Sequence, residues 1–217
     1  MKKKRLQSLN VGRPTAQEAA QRTNEILDAA SEVFLRCGYR RARISDIIER
    51  LGGSRGTIYA RYPTKDALFS AVVERTNDVL NAHYAGALST RQPLRGVLEK
   101  FGLILLGTVY SRELSDLLRI VVAEAEQFPE LAKKFLTRGP MHAVRMLSEC
   151  LAEHPEFRGH AAGEAAEIFC SLFWGTSMVR HLLDRNYAPN RRAAKPKLKN
   201  AVRIFLAAYG QNSGSAG

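Results

Sequence analysis

Residues 44–69 have the sequence ISDIIERLGGSRGTIYARYPTKDALF, and this stretch decides the fold of the N-terminal part of the chain. Apolar residues in its first eight positions fall at helical spacing, and two glycines, Gly52 and Gly53, then interrupt the pattern. Glycine tolerates the left-handed conformation that a tight turn needs. Pro63 breaks the chain again, and Thr64 is a good N-cap for a further helix. The stretch therefore predicts a helix-turn-helix at about residues 44–62, followed by the start of a long helix.

The second short segment, SRGTIYARY at residues 54–62, is basic, rich in hydroxyl groups and aromatic. Such a composition is unfavourable for a core helix and suits a helix that lies in the major groove of DNA. Arg55 can reach a guanine edge or a phosphate, and Gly56 allows the backbone to approach DNA closely. Ile58 falls on the inward side and is expected in the core. The candidate DNA-contacting residues are Ser45, Ser54, Arg55, Gly56, Thr57, Tyr59, Arg61 and Lys65.

The net charge of +12 is unevenly distributed along the 217 residues. Residues 1–65 contain 14 Lys and Arg against 6 Asp and Glu, a balance of +8. Residues 66–184 contain 12 against 15, a balance of −3, and residues 185–217 contain 7 against 0, a balance of +7. A basic end on a near-neutral body suggests a polyanionic partner at that end, and a solvated basic face is the alternative.

The N-terminus and the three cysteines indicate a cytoplasmic protein. Residues 1–15 predict a flexible basic arm in which Arg13 can enter a minor groove, although an ordinary disordered tail is the favoured alternative. No apolar segment follows the charged N-terminus as in a signal peptide, and the longest apolar run is about half of the ~20 residues that a membrane span needs. The cysteines are odd in number and widely spaced, so no disulfide framework, metal site or cofactor is predicted, and reduced, buried thiols are expected.

Helical periodicity predicts an all-α fold over the whole chain. We expect an N-terminal helix-turn-helix domain over residues 16–82 and a larger helical ligand-binding and dimerisation domain over residues 83–217. In the first domain, helices are expected from residue 16 to Gly38, at 44–51, at 54–61 and from Thr64 to about residue 82. In the second domain, the predicted helices are 93–109, 112–126, 129–137, 140–153, 163–185 and 196–209, with a basic linker at 185–196.

The predicted helix at 163–185 is apolar almost all round, whereas a surface helix shows one apolar stripe. Burial on two sides suggests a core on one side and a second subunit on the other. Together with the helix at 196–209, it can form half of a dimeric four-helix bundle. Full burial within one large monomer is the alternative. The candidate interface residues are Leu172, Val179, Leu183, Val202, Phe205, Leu206 and Tyr209.

The second domain also offers side chains for a pocket that would take an apolar ligand. Aromatic and flexible apolar side chains suit such a ligand, although each one taken alone is better explained as plain core. Glu124 falls on the helical line of Leu117 and Val121 and can face inward, but a solvated carboxylate is favoured. The candidate pocket residues are Phe101, Leu105, Glu124, Phe128, Met141, Phe169, Phe173, Trp174 and Met178.

The segments ILDAASEVFLRCGY, ISDIIERLG and GGSRGTIYARYPTKDALF together resemble the N-terminal domain of TetR-type (AcrR-like) transcriptional regulators over about residues 22–82. The resemblance implies a nine-helix, all-α homodimer that binds palindromic DNA operators, usually as a repressor released by a small molecule. It implies that Tyr59 and Lys65 contact phosphates and that residues around 55–61 contact bases. The segment RIVVAEAEQFPELAKKF is similar to a segment in a subset of these regulators.

The chain departs from the family pattern at four positions. Gly53 stands where Val is common, so the turn is expected to lose an apolar contact, and Arg43 stands where Thr or Ser usually caps the second helix. Ala60 and Arg61 replace a pair of bulky or aromatic residues, so the operator sequence does not follow from relatives. The function predicted is a ligand-responsive, sequence-specific DNA-binding repressor. A non-specific architectural DNA-binding protein or a protein-interaction module is the alternative, and no catalytic motif supports an enzyme.

Overall fold

The computed structural model describes residues 15–157, 161–173, 175–187 and 191–209. Over these ranges the secondary structure is helical throughout, which confirms the all-α fold class. The helices of these ranges are α1 (Ala16–Arg41), α2 (Ile44–Leu51), α3 (Arg55–Tyr59), α4 (Lys65–Ala85), α5 (Leu94–Val109), α6 (Arg112–Glu124), α7 (Pro129–Arg138), α8 (Pro140–Glu153), α9 (Ala162–Ser171), α10 (Thr176–Leu183) and α11 (Arg191–Tyr209), with a 3-10 turn at Pro155–Phe157. Arg13 and Trp174 lie outside the described residues.

The chain divides into two compact units, one up to Val72 and one from Val73 onward. The division falls inside α4, about ten residues before the boundary at residue 82 that the sequence suggested. Leu68, Phe69 and Val72, in the first two turns of α4, are buried apolar residues of the first unit. Their burial explains why the first unit includes the start of α4 but not its later turns.

The first unit is organised around α1. A capping box begins this helix, because Thr15 Oγ1 accepts a hydrogen bond from Glu18 N and the Glu18 carboxylate accepts one from Thr15 N. Gly38 interrupts the helical conformation with φ of 76°, as expected for a glycine that ends a helix. Phe69 packs edge-on against Phe34, with ring centroids 4.9 Å apart, and closes the small core.

The core of the second unit is aromatic and lies among α5, α8, α9 and α11. Helix α8 packs along α9, and α11 packs along α5. Phe169 is fully buried and contacts Phe173 and Phe205, with centroids 5.3 and 5.2 Å apart. Edge-on aromatic contacts of this kind add to the hydrophobic free energy of burial.

The prediction of a single helix at 163–185 is wrong. Helix α9 ends at Ser171, α10 begins at Thr176, and Gly175 between them has a non-helical ψ of −163°. Glycine lowers helix stability and permits such a conformation, so the apolar run bends rather than continuing as one rod. Because the two halves differ in direction, the argument from one helix that is apolar on all sides no longer holds.

Helix α11 begins at Arg191, five residues before the predicted start, so the basic linker is shorter than expected. Pro196 lies inside the helix, although proline is preferred in a first turn because it lacks a backbone N–H. Arginine, alanine and lysine surround it in the sequence and favour helix strongly. Their preference explains how the helix extends past the proline in both directions.

Candidate nucleic-acid interface and ligand cavity

The turn between α2 and α3 is built by a left-handed glycine and a capped helix start. Gly52 follows α2 with φ of 66°, and its N–H donates to Ile48 O. Ser54 then caps α3, because its side-chain oxygen accepts a hydrogen bond from Thr57 N. Arg43 precedes α2 without a side-chain cap, as its departure from the usual Thr or Ser predicted. The predicted order of helix, glycine turn and helix is therefore present in the structure.

Helix α3 turns one apolar side chain inward and its polar side chains outward. Ile58 is completely buried, which confirms its predicted place in the core. Arg55 and Arg61 are exposed, and Tyr59 is 44% exposed although it is a large aromatic residue. A Cβ added at Gly56 would meet only Ser54 Oγ, at 3.8 Å, so the protein's own packing does not require glycine there. The backbone of α3 is therefore uncovered at Gly56, and cationic side chains and the hydroxyl-bearing ring of Tyr59 lie near it at the surface.

The candidate hydroxyl groups of Ser45, Ser54 and Thr57 have different local partners. Ser54 Oγ lies 3.1 Å from Thr57 Oγ1, so these two hydroxyls bond to each other while Ser54 also caps the helix. Ser45 is exposed, and its hydroxyl lies 3.4 Å from Asp46 Oδ1. Ser45 and Ser54 are therefore available at the surface, and any contact of Ser54 with DNA must share the oxygen that caps α3.

Lys65, at the start of α4, has its ammonium group directed at the end of α1. Its Nζ donates hydrogen bonds to the backbone oxygens of Tyr39 (2.9 Å) and Ala42 (3.2 Å), with a longer bond to Arg40 O (3.4 Å). The same Nζ lies 4.4 Å from the centroid of the Tyr39 ring. A cation near the last carbonyl groups of a helix is favourable. Lys65 therefore fastens α4 to α1, and sequence analysis missed this structural role.

Replacing Lys65 by methionine is expected to lower the stability of the first unit by about 1–3 kcal/mol, the usual range for hydrogen bonds to a charged group. Thermal unfolding followed by circular dichroism measures this loss. Lys100→Met is the matched control, because that ammonium bonds to one carbonyl oxygen, Gly86 O, in the second unit. A separate decrease of about one in the salt dependence of DNA affinity would report a phosphate contact. An unchanged melting temperature would contradict the fastening role.

The space beside Gly53 is occupied by an arginine from α1. A Cβ added at Gly53 would lie 2.8 Å from Arg22 Nη2, closer than side chains normally approach. Arg22 Nη1 also forms an ion pair with Glu25 at 2.9 Å. The guanidinium group thus replaces the apolar contact that the family's Val would make at this turn, and the sequence alone did not reveal the pairing of Arg22 with Gly53.

This arrangement predicts energetic coupling between Arg22 and Gly53. Gly53→Val is expected to lower the stability of the first unit by about 0.5–1 kcal/mol, because the new side chain displaces Arg22 and breaks an exposed ion pair. In an Arg22→Ala background the same substitution is expected to have little effect. Chemical denaturation of the two single variants and the double variant measures the coupling. Equal losses in both backgrounds would show that Arg22 does not occupy the site.

The second unit encloses a cavity of about 610 Å³, within the range typical of sites for small organic molecules. Its apolar lining includes Leu80, Leu105, Val109, Leu118, Val121 and Val144. Its polar lining consists of Asn77, Tyr84, Thr108, Glu167, Cys170 and Ser171. Val122, Leu136 and Met141 also line it and are exposed, so they mark the opening of the cavity to solvent.

The candidate pocket residues are divided between the cavity and the core. Leu105, Met141 and Met178 line the cavity. The fully buried residues Phe101, Phe169 and Phe173 belong to the aromatic core and are not among the lining residues. Phe128 is not a lining residue either. The sequence pattern marked all the aromatic residues as candidates, because it does not distinguish a side chain beside a cavity from one packed against its neighbours.

The structure corrects the sequence-based expectation for Glu124. The favoured expectation was a solvated carboxylate, but the residue is buried at the end of α6. Its backbone oxygen accepts hydrogen bonds from Gln127 N and Phe128 N. It is not among the residues that line the cavity, so its burial does not mark a ligand contact there.

Burial raises the pKa of two polar lining groups. The pKa of Tyr84 is raised to about 12 by burial, with a hydrogen bond to Thr108 acting in the opposite direction. Burial also raises the pKa of the Cys170 thiol to about 12. Both groups are neutral near pH 7 already at their ordinary pKa values, and burial makes them still harder to ionise. Glu167 is the one lining residue of the Asp, Glu, Lys or Arg type.

The candidate interface residues also separate into two groups. Val202 and Phe205 are buried in the core of the same protomer, where α11 packs on α5, so their side chains are not available to a partner. The partly buried residues Leu172, Leu206 and Tyr209 pack against that core. Val179 and Leu183, one turn apart on α10, are 54% and 82% exposed. Ile168 and Ile204 are further exposed apolar residues, on α9 and α11, that the sequence analysis did not select.

The described parts of the chain contain neither a metal-binding group of side chains nor a membrane-spanning helix. Among those residues, no three His, Cys, Asp or Glu side chains are grouped so that they can hold a metal ion. No helix found there has both the length and the apolar character needed to cross a membrane.

The two units match two different family models. Residues 26–72 match the model for bacterial regulatory proteins of the tetR family, and residues 96–211 match the model for the C-terminal domain of AefR-like transcriptional repressors. The chain belongs to the TetR family. TetR-family proteins are DNA-binding transcriptional regulators and not enzymes, so the helix-turn-helix of the first unit is the DNA-binding element of such a regulator.

Known TetR-family proteins are similar to the chain to different extents. The HTH-type transcriptional activator FasR of Mycolicibacterium smegmatis is 38% identical over 85 residues, which are 37% of this chain and 39% of FasR. The solved structure of the flavonoid-responsive regulator FrrA is 25% identical, with a TM-score of 0.74, and covers 89% of this chain and all of that one. A TetR-family regulator from Mesorhizobium loti MAFF303099 shares the fold, with 24% identity, a TM-score of 0.77 and coverage of 91% and 100%.

Proposed function

We propose that this chain is a homodimeric, cytoplasmic repressor that binds a palindromic DNA operator and is released by a small, mainly apolar molecule. The observation that carries the proposal is the outer surface of α3 and of the turn after it, where Arg55 and Tyr59 of the helix and Arg61 of the turn are exposed while Ile58 anchors the helix. A helix in a major groove requires cationic side chains, a hydroxyl-bearing ring and a backbone that can approach the DNA closely. The +8 balance of residues 1–65 adds the long-range attraction to DNA.

Within this proposal the polar side chains of the first unit have separate tasks. Tyr59 contacts a phosphate, and Lys65 does so by exchanging its longest carbonyl bond, the one to Arg40 O at 3.4 Å, for a phosphate oxygen. Arg55 and Thr57 contact base edges, where an arginine can bind guanine through two hydrogen bonds. Phosphate contacts set the position of the protein, and base contacts set its sequence preference.

The effector is proposed to bind in the cavity of the second unit. The lining is mainly apolar with a few polar groups, which suits a small organic molecule that is held by apolar contact and oriented by hydrogen bonds. The name of FrrA, a regulator responsive to flavonoids, supports a ligand of this type. Asn77, Leu80 and Tyr84 of α4 line the cavity, and α4 begins at Lys65. A ligand that moves α4 would therefore alter a helix that the DNA-binding unit shares.

A second copy of the chain is proposed to cover the exposed apolar residues of α9, α10 and α11. These residues are Ile168, Val179, Leu183 and Ile204. Large exposed apolar side chains can mark an interaction surface, and a two-fold dimer uses the same surface on both copies. Repression, and not activation, is supported by the family model that matches the C-terminal unit, because that model describes transcriptional repressors. FasR, in contrast, is an activator.

Selection from a pool of random double-stranded DNA tests the function. The purified chain is expected to enrich a palindrome whose half-site centres are ~34–36 Å apart, or a multiple of that distance, because two copies contact one face of the helix. Equal recovery of all sequences would favour a non-specific architectural protein. A single unpaired half-site would contradict the dimer.

A further inference from the structure

A residue in the wall of the cavity carries a buried amide that the described part of the protein leaves without hydrogen bonds. Asn77 lies on α4, lines the cavity and is 1% exposed. Neither Nδ2 nor Oδ1 of Asn77 has a hydrogen-bond partner among the described residues. Buried polar side chains nearly always have partners, because an unpaired group loses its bonds to water without replacement. An amide in this position is therefore more costly than an apolar side chain of the same size unless something else binds it.

This amide lies beside the junction of α7 and α8. A Cβ added at Gly139, between α7 and α8, would lie 2.8 Å from Asn77 Oδ1, so glycine leaves the room that the amide occupies. One turn further along α4, Asn81 Nδ2 donates a hydrogen bond to Arg138 O at 2.9 Å. The face of α4 that carries Asn77 thus lies against the end of α7.

The charges around the cavity limit what can bind to the amide. No lysine or arginine is among the lining residues, and Glu167, which is exposed, supplies the one formal charge. Tyr84 and Cys170 are neutral at pH 7 for the reason given above. An anionic ligand would lose its hydration in this cavity without gaining a counter-charge, which is strongly unfavourable. A neutral ligand meets no such penalty.

We propose that Asn77 anchors a neutral, mainly apolar ligand through a carboxamide-type group that both donates and accepts a hydrogen bond. The inference rests on the proposed function, in which the cavity holds the effector. A primary amide or a lactam, whose N–H and C=O lie on the same side, satisfies Nδ2 and Oδ1 of Asn77 at once. An ester satisfies only Nδ2, and a carboxylate brings a charge that the cavity does not balance. The apolar remainder of the ligand lies along Leu105 and Val121 toward the opening.

Binding of three probes with the same eight-carbon acyl chain to the full chain tests the proposal. Octanamide, methyl octanoate and octanoate share the apolar tail and differ in the polar group. Isothermal titration calorimetry is expected to show octanamide binding at least about tenfold more tightly than either of the others, a difference of about 1.4 kcal/mol. Asn77→Leu is expected to lose the preference for octanamide over methyl octanoate and to melt no lower than the wild type, whereas octanoate stays disfavoured because the cavity does not balance its charge.

Two further variants keep the test independent of folding. Asn77→Ala must lose the same preference, and Asn81→Leu, on the same helix but outside the cavity lining, must keep it. Equal affinity of the wild type for all three probes, no octanamide binding, or a preference that survives in Asn77→Leu would overturn the proposal. Operator binding is measured in parallel. Octanamide binding that depends on Asn77 but never releases DNA would uphold this site and contradict the proposed effector role of the cavity.

Discussion

Replacing Tyr59 by phenylalanine is expected to lower the affinity for DNA by about 10- to 100-fold, for the selected operator and for unrelated sequences alike. The change removes one hydroxyl from an exposed ring, so the packing of α3 around the buried Ile58 stays intact. A hydrogen bond to a charged partner contributes about 1.5–3 kcal/mol, and 1.4 kcal/mol corresponds to a factor of ten in affinity. Fluorescence anisotropy with labelled duplexes at fixed salt measures the loss.

Controls separate a phosphate contact from other causes. Tyr187→Phe removes a tyrosine hydroxyl from the second unit and is expected to leave DNA affinity unchanged. Arg55→Ala is expected to behave differently from Tyr59→Phe, because loss of a base contact weakens the operator more than unrelated DNA. Unchanged affinity in Tyr59→Phe, or a loss confined to the operator, would contradict a phosphate role for Tyr59.

A variant with glutamate at both Val179 and Leu183 is expected to be monomeric and to bind the operator about 10²- to 10⁴-fold more weakly. These side chains lie one turn apart on α10 and are mostly exposed, so charges there do not disturb the core of the protomer. In a dimer, like charges on the two copies would meet and lose hydration. The loss of affinity follows because two linked half-site contacts gain about that factor over one.

Analytical ultracentrifugation of the double variant measures the oligomeric state directly. Leu103→Glu is a suitable control, since Leu103 is an exposed apolar residue on α5 and takes no part in the proposed interface. The control is expected to remain dimeric with unchanged operator affinity. A double variant that stays dimeric would show that the two protomers meet through another surface.

The local features of the first unit could be predicted from its sequence. The glycine turn at Gly52, the inward position of Ile58 and the helical segments on either side follow from spacing and residue type, and the structure contains all of them. Such features depend on interactions between residues a few positions apart. The fold class followed for the same reason, because helical periodicity persists along the whole chain.

The features that could not be predicted depend on contacts between distant segments. Arg22 lies beside Gly53, although 31 positions separate them in the sequence. Lys65 contacts the end of α1 across more than 20 positions. Asn77 has no sequence pattern that marks it as an unpaired group in a cavity. The break at Gly175 was hidden because the apolar run continues on both sides of it, and periodicity does not report a change of helix direction.

Comparison of two affinities tests the central claim, that α3 of the first unit recognises a DNA sequence. The dissociation constant of the wild-type chain is measured for the selected operator and for a scrambled duplex of the same length and composition, both at 150 mM salt. Sequence-specific regulators bind their sites about 10³-fold or more tightly than other DNA, so a ratio of at least that order is expected. A ratio near one would contradict the claim, whatever the absolute affinity.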